Sequence, residues 1–85
     1  MRPINGILKA SNGSCWGEIE VRNNRVRHVC FKGANEPDRN GWSFYFQNVK
    51  VGDLITEMFV DSVLSYNDND NIRCEFVRND EFDKF

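Results

Sequence analysis

Turn-forming residues interrupt this chain at intervals of roughly 8–12 residues, a spacing typical of short strands joined by turns. Between the turns, apolar and polar residues alternate, as in WGEIEV at residues 16–21. Ile19 and Val21 therefore share one face of a predicted strand, and Trp16 lies on the other face with two glutamates. No segment has the apolar spacing of a convincing helix. The sequence thus predicts an all-β protein.

The alternation predicts strands over residues 4–10, 16–21, 26–31, 54–64 and 72–77. A polar loop is expected at residues 32–41. Residues 42–49, WSFYFQNV, fit either a further strand or a loop whose aromatic side chains fold onto a barrel. We expect one domain over residues 1–78, followed by an acidic, frayed tail over residues 79–85. Short strands of this number favour a small barrel or sandwich.

The composition is that of a globular protein with a single small core. The chain has 85 residues, of which 40% are hydrophobic and 28% are charged. No apolar run approaches the roughly 20 residues of a membrane span, and the first residues do not form a secretory signal. Three cysteines without a close pair argue against a disulfide framework. We therefore expect a cytoplasmic protein with no membrane partner.

The charge is distributed unevenly along the chain. Residues 1–50 carry eight Lys or Arg and four Asp or Glu, whereas residues 51–85 carry three and nine. The first part is thus basic, although the whole chain has a net charge of −2. A basic segment of this kind can attract an anionic ligand, or its charges can simply keep the surface hydrated.

Residues 6–21, GILKASNGSCWGEIEV, resemble the start of the cold-shock domain. In that family a first strand of the pattern G-x-V-K-W-F-N is followed by K-G-F-G-F-I on the second strand. The matching residues here are Gly6, Leu8, Lys9, Asn12, Trp16, Gly17 and Ile19. HVCF at residues 28–31, VKVGDLITEMFV at residues 49–60 and NDNDNIRCEFV at residues 67–77 resemble the later strands.

The resemblance implies a small antiparallel five-stranded β-barrel of the OB type. It also implies a non-enzymatic protein that binds single-stranded RNA or DNA, by base stacking on exposed rings and by contacts of Lys and Arg with phosphates. A short chain of this kind is typical of bacteria. The sequence departs from the family pattern at Ala10, Ser11 and Glu18, where the family usually has aromatic rings.

The residues that would bind nucleic acid in this interpretation are Lys9, Trp16, Arg25, Arg27, His28, Phe31 and Trp42. The two tryptophans and the phenylalanine would stack on bases, and the lysine and arginines would hold the nucleic-acid backbone. The histidine could stack or donate a hydrogen bond. Glu18 would repel phosphates unless it pairs with Arg27, or it could accept a hydrogen bond from a base amino group.

Each ring also has a purely structural interpretation. Trp16 could close the edge of the core with its indole N–H hydrogen-bonded, and Phe31 could turn inward at the end of its strand. Trp42 could belong to a small aromatic core under the loop, together with the other rings of residues 42–49. The alternation along residues 16–21 favours an exposed position for Trp16.

The sequence provides little support for catalysis, a cofactor or a metal. It has one histidine, no G-x-S-x-G motif and no phosphate-binding loop. Cys15, His28, Cys30 and Cys74 lack the spacing of a zinc finger, and buried free thiols explain the cysteines more simply. The alternative function is a protein-interaction module that has lost its stacking surface and holds a protein partner at an edge or an aromatic loop.

Overall fold

The structure is a computed structural model, and it describes residues 3–33, 41–67 and 71–79. Most of the polar loop predicted at residues 32–41, and nearly all of the tail predicted at residues 79–85, lie outside the described residues. The helices and strands are β1 (Gly6–Ser11), β2 (Trp16–Arg22), β3 (Arg25–Lys32), α1 (Trp42–Gln47), α2 (Glu57–Leu64) and β4 (Arg73–Arg78).

The strands form one antiparallel sheet in the order β3-β2-β1-β4. Leu8 in β1 lies opposite Ile19 in β2 and Phe76 in β4, which sets the register in the middle of the sheet. Asn23 and Asn24 close the hairpin between β2 and β3, with φ values of 54° and 68°. Asparagine tolerates positive φ, which a tight two-residue hairpin turn requires at both central positions.

One face of the sheet forms the core together with both helices. Leu8, Ile19 and Val21 on this face are fully buried, as the alternation along the strands predicts. Helix α1 packs against β2 and β3, and helix α2 packs against β4. The helices complete the core with Trp42, Phe46, Val60 and Val63.

The prediction of a long strand over residues 54–64 is wrong, because residues 57–64 form helix α2. Val60 and Val63 are three residues apart, so a helix brings both onto the face that packs on the sheet. Thr56 caps this helix, since its Oγ1 accepts a hydrogen bond from the N–H of Phe59 at 3.2 Å. Glu57 follows in the first turn, where a negative charge stabilises the helix.

Residues 42–49, predicted as a strand or a loop, contain helix α1 instead. Trp42 and Phe46 are four residues apart and both buried, with ring centroids 5.4 Å apart in an edge-to-face arrangement. Tyr45 contacts Phe59 of α2, with ring centroids 5.5 Å apart. The aromatic run therefore joins the two helices to each other and to the sheet, and the expectation that the chain has no helix is wrong.

The outer edge of β3 is partly occupied by residues 52–55. The N–H of Val26 donates to the carbonyl of Asp53 at 2.9 Å, and the N–H of Gly52 donates to the carbonyl of Val26 at 2.8 Å. Arg25 and Leu54 form an isolated antiparallel bridge at the same place. This short segment pairs with β3 without forming a further strand of the sheet.

The prediction of an all-β fold is confirmed only in part, because the fold is mostly β with one antiparallel sheet but also contains the helices α1 and α2. The strands predicted at residues 4–10, 16–21, 26–31 and 72–77 correspond to β1, β2, β3 and β4. The sheet is open rather than closed into a barrel, and the described residues do not include a fifth strand. Within the same residues, neither helix has the length and apolarity that crossing a membrane requires.

Candidate nucleic-acid interface

The sheet face opposite the core is not covered by a helix in the described part of the chain. Because side chains alternate along each strand, the register places those of this face in rows across the sheet. We call this surface the open face. Its residues are Ile7, Lys9, Ser11, Trp16, Glu18, Glu20, Arg22, Arg25, His28, Cys30, Lys32, Arg73, Glu75 and Val77.

The first row of the open face combines an aromatic ring with cations. Lys32 lies opposite Trp16, Trp16 lies opposite Ser11, and Ser11 lies opposite Arg73. Trp16 is 41% exposed, and the Nζ of Lys32 is 5.9 Å from the centroid of its ring. That distance is within the range of a cation–π interaction. A large ring thus lies on the surface with a lysine beside it and an arginine two strands away.

The turn before β2 sets the position of Trp16. The side-chain Oδ1 of Asn12 accepts hydrogen bonds from the N–H groups of Ser14 and Cys15, at 3.1 and 2.8 Å. This local bonding closes the connection between β1 and β2, which asparagine favours in turns. Trp16 follows as the first residue of β2, so its side chain is the first of this strand to lie on the open face.

The second row alternates charges of opposite sign. Cys30 lies opposite Glu18, Glu18 lies opposite Lys9, and Lys9 lies opposite Glu75. Neither the lysine nor the two glutamates form an ion pair within 4.0 Å or a hydrogen bond of their side chains with any residue that the structure describes. The charged groups of this row are therefore available to a ligand that carries both donors and acceptors.

A groove of about 680 Å³ runs over both rows at the β1, β2 and β4 side of the open face. Its lining includes Trp16, Lys9, Glu18, Arg73, Glu75 and Asn67. The volume falls in the range of ligand sites, which is roughly 300–1,000 Å³. The groove therefore combines an exposed ring, two cations and two carboxylates in one open depression.

The structure brings Lys9 and Trp16 together in this groove, as the prediction of a common binding surface requires. His28 also lies on the open face and is exposed, but it is opposite Glu20 in the third row and outside the groove lining. Four of the seven predicted residues, Lys9, Trp16, Arg25 and His28, therefore lie on the open face. Two of them share the groove.

Arg25 and Arg27 are not placed beside Trp16. Arg25 lies at the hairpin end of β3, opposite Arg22, and its guanidinium donates to the carbonyl of Gly52 at 3.1 Å. Arg27 is exposed and lies at a bulge, where Val26 pairs with Val21 and His28 pairs with Glu20. Both arginines belong to the far end of the sheet from the ring of Trp16.

The structure places Phe31 and Trp42 on the core side, which contradicts their assignment to the binding surface. Phe31 lies opposite Gly17 on the core face of the sheet, and its ring centroid is 5.8 Å from that of Trp42. Trp42 is only 2% exposed. A ring buried in this way cannot stack on a base without leaving the core, so the interpretation of Trp42 as part of an aromatic core is the correct one.

Lys32 and Arg73 are the cations that the sequence analysis did not assign to the surface. Lys32 is the last residue of β3, one position beyond the strand predicted at residues 26–31, and the alternation from His28 would have placed it on the open face. Arg73 joins the groove only because β4 pairs with β1. No pattern in the sequence shows which strands are neighbours.

The described residues contain no group of three or more His, Cys, Asp or Glu side chains that could hold a metal ion. The four residues considered for zinc are separated by the sheet. His28 and Cys30 are on the open face, whereas Cys74 lies on the core face, opposite Ala10. Cys15 precedes β2 and is half-buried near Gly33.

Burial raises the pKa of the Cys74 thiol above its ordinary value. Because the thiolate is the reactive form, we expect iodoacetamide at about pH 8 to alkylate the half-buried Cys15 and Cys30 well before Cys74. Peptide mass spectrometry of timed samples measures the three rates. In denaturant the three cysteines should react at similar rates. Equal rates in the folded protein would contradict the core position of Cys74.

Comparisons of this chain with models of known protein families, with curated proteins and with solved structures find no match. The resemblance to the cold-shock domain therefore stays a prediction that the residues of the sequence carry alone.

Proposed function

We propose that this protein binds single-stranded RNA or DNA in the groove of the open face. The observation that carries the proposal is the position of Trp16, a large ring on a sheet face that neither described helix covers, with Lys32, Lys9 and Arg73 around it. Exposed rings bordered by cations suit single strands, because each base can stack while its phosphate contacts a lysine or arginine. The four-stranded sheet supplies this surface without the closed OB barrel that the cold-shock resemblance implies.

The charges of the open face support moderate rather than tight binding. Lys9, Lys32 and Arg73 attract phosphates, whereas Glu18 and Glu75 in the same groove repel them. The proposed ligand therefore contacts few phosphates, and the dependence of its affinity on salt should be measurable but shallow. The protein acts as a binding module and catalyses no reaction in this proposal.

Replacing Trp16 by alanine tests the proposal. The affinity for a dye-labelled heptathymidine, or for the matched RNA, should fall about 5- to 150-fold, since stacking of one base contributes about 1–3 kcal/mol. Fluorescence anisotropy at low salt measures the dissociation constants. In the unmodified protein, bound oligonucleotide should quench the fluorescence of Trp16, while the buried Trp42 stays unaffected.

The matched control is Phe44→Ala. Phe44 is 44% exposed, close to the 41% of Trp16, but it lies on helix α1 and not on the open face. This variant removes an equally exposed ring and should leave the affinity unchanged. If neither heptathymidine, nor the matched RNA, nor a heptathymidine with a purine at its centre binds at low salt and high micromolar concentration, the proposal is wrong.

The second candidate function is a protein-interaction module. It is favoured by the carboxylates of the open face and by three exposed apolar side chains, Val51, Leu54 and Met58, within one short stretch of chain. Salt separates the two functions, because contacts with phosphates weaken as salt rises and an apolar contact with a protein does not.

A further inference from the structure

Glu18 is, with Glu75, one of two carboxylates of the groove that phosphate binding does not explain, and it is the one on the strand of Trp16. It follows Trp16 by two positions on the same strand and the same face, so their Cα atoms are about 7 Å apart. A carboxylate at this distance lies beside a base that stacks on the indole. It would weaken binding of the phosphate backbone, so a role toward the base itself accounts better for its position.

The ammonium of Lys9 is a hydrogen-bond donor next to the carboxylate of Glu18, which is an acceptor. Glu18 and Lys9 are directly opposite each other on adjacent strands, and both line the groove. Side chains that face each other in this way have Cβ atoms about 5 Å apart. The carboxylate of Glu18 accepts no hydrogen bond from a described residue, so its acceptor oxygens are open toward the groove.

We propose that Glu18 and Lys9 together select guanine as the base that stacks on Trp16. This inference rests on the proposed function, since it assigns a base to the same groove. The Watson–Crick edge of guanine carries two adjacent N–H donors, N1–H and the N2 amino group, next to the acceptor O6. One carboxylate can accept from both donors, and an ammonium beside it can donate to O6.

The other bases fit this pair less well. Cytosine and adenine offer one amino group beside a ring-nitrogen acceptor, so the second carboxylate oxygen would face a lone pair. In thymine and uracil a single N–H lies between two carbonyl oxygens, which repel the second oxygen of the carboxylate. Reading of base edges beside a stacking ring is the usual way in which proteins distinguish unpaired bases.

The decisive comparison uses two DNA heptamers that differ only in one amino group. Both are heptathymidines with a changed central base, which is guanine in one and hypoxanthine in the other. Hypoxanthine keeps N1–H, O6 and the stacking surface but lacks the N2 amino group. We expect the guanine heptamer to bind at least about fivefold more tightly, the lower end of what a bidentate base contact contributes. Fluorescence anisotropy measures both dissociation constants.

The variant Glu18→Gln should reduce this preference to less than about twofold, because the amide places an NH2 donor where the second carboxylate oxygen accepts, opposite an N–H donor of guanine. Glu20→Gln is the matched control. Glu20 is a half-buried glutamate on the same strand and face, but it lies in the third row and does not line the groove. This variant should keep the full preference for guanine.

The outcomes separate the inference from the proposed function. A preference for guanine that Glu18→Gln abolishes and Glu20→Gln retains supports the inference. Equal binding of the guanine and hypoxanthine heptamers overturns it and leaves nucleic-acid binding standing. A preference that survives Glu18→Gln also overturns it. If none of these oligonucleotides, heptathymidine included, binds at low salt, the proposed function and the inference are both wrong.

Discussion

Replacing Phe46 by alanine is expected to lower the free energy of unfolding by about 3–5 kcal/mol, the usual cost of removing a fully buried phenylalanine ring. Phe46 is among the largest fully buried side chains of the described residues. Its ring contacts Trp42 within α1 and lies under Gly17 of β2. Since a domain of this size has only about 5–15 kcal/mol of stability, the variant should be partly unfolded near body temperature.

Urea unfolding followed by circular dichroism measures this loss. Phe44→Ala removes the same side chain from the same helix, but at an exposed position, and should change the free energy of unfolding by less than about 0.5 kcal/mol. A loss of stability as large for Phe44 as for Phe46 would contradict the orientation of α1. If Phe46→Ala cannot be purified, Phe46→Leu keeps most of the apolar volume and should show a smaller loss in the same direction.

The second large effect is expected at Gly17. A Cβ atom at this position would lie 2.7 Å from Cδ1 and 2.8 Å from Cγ of Phe46. Carbon atoms prefer to be about 3.5–4.0 Å apart, so the ring or the strand must move. Gly17→Ala should therefore destabilise the protein by about 1–3 kcal/mol, as overpacking of a core usually does.

The double variant Gly17→Ala/Phe46→Ala isolates this contact. Because the smaller side chain at position 46 leaves room for the added methyl group, the combined loss should be smaller than the sum of the two single losses by at least about 0.5 kcal/mol. Additive losses, measured by the same urea unfolding, would show that Gly17 does not lie against this ring.

The strands could be predicted because their side chains alternate between two different environments. On β2, Ile19 and Val21 face the core, while the side chain of Trp16 lies on the other side of the sheet, as the period of two requires. The exposure of Trp16 followed from the same pattern. This part of the site was predictable from local sequence alone.

The helices could not be recognised from the same pattern, because short aromatic and apolar runs fit both periods. Residues 54–64 alternate like a strand, yet the cap at Thr56 and the three-residue spacing of Val60 and Val63 belong to a helix. In residues 42–49, adjacent rings hid the four-residue spacing of Trp42 and Phe46. Burial against the rest of the protein, rather than local propensity, determines that these two segments are helical.

The rest of the candidate site depends on which strands are neighbours. The sequence predicts that Arg73 lies in a strand, but its approach to Trp16 requires that β4 pair with β1. The same pairing places Glu75 beside Lys9. Long-range pairing is not encoded in any short stretch of residues, which explains why the sequence analysis chose arginines near the turn after β2 instead.

The edge strands of an open sheet carry a risk of self-association, because unpaired N–H and C=O groups at an edge can recruit strands from other molecules. Pairing of residues 52–55 with Arg25 and Val26 occupies the first part of the β3 edge with the protein's own chain. The other edge, β4, carries Arg73, Glu75 and Arg78, and charged residues on an edge disfavour stacking of copies into fibrils. Each edge therefore carries a feature that disfavours the addition of strands from other copies, and the open face can serve a ligand.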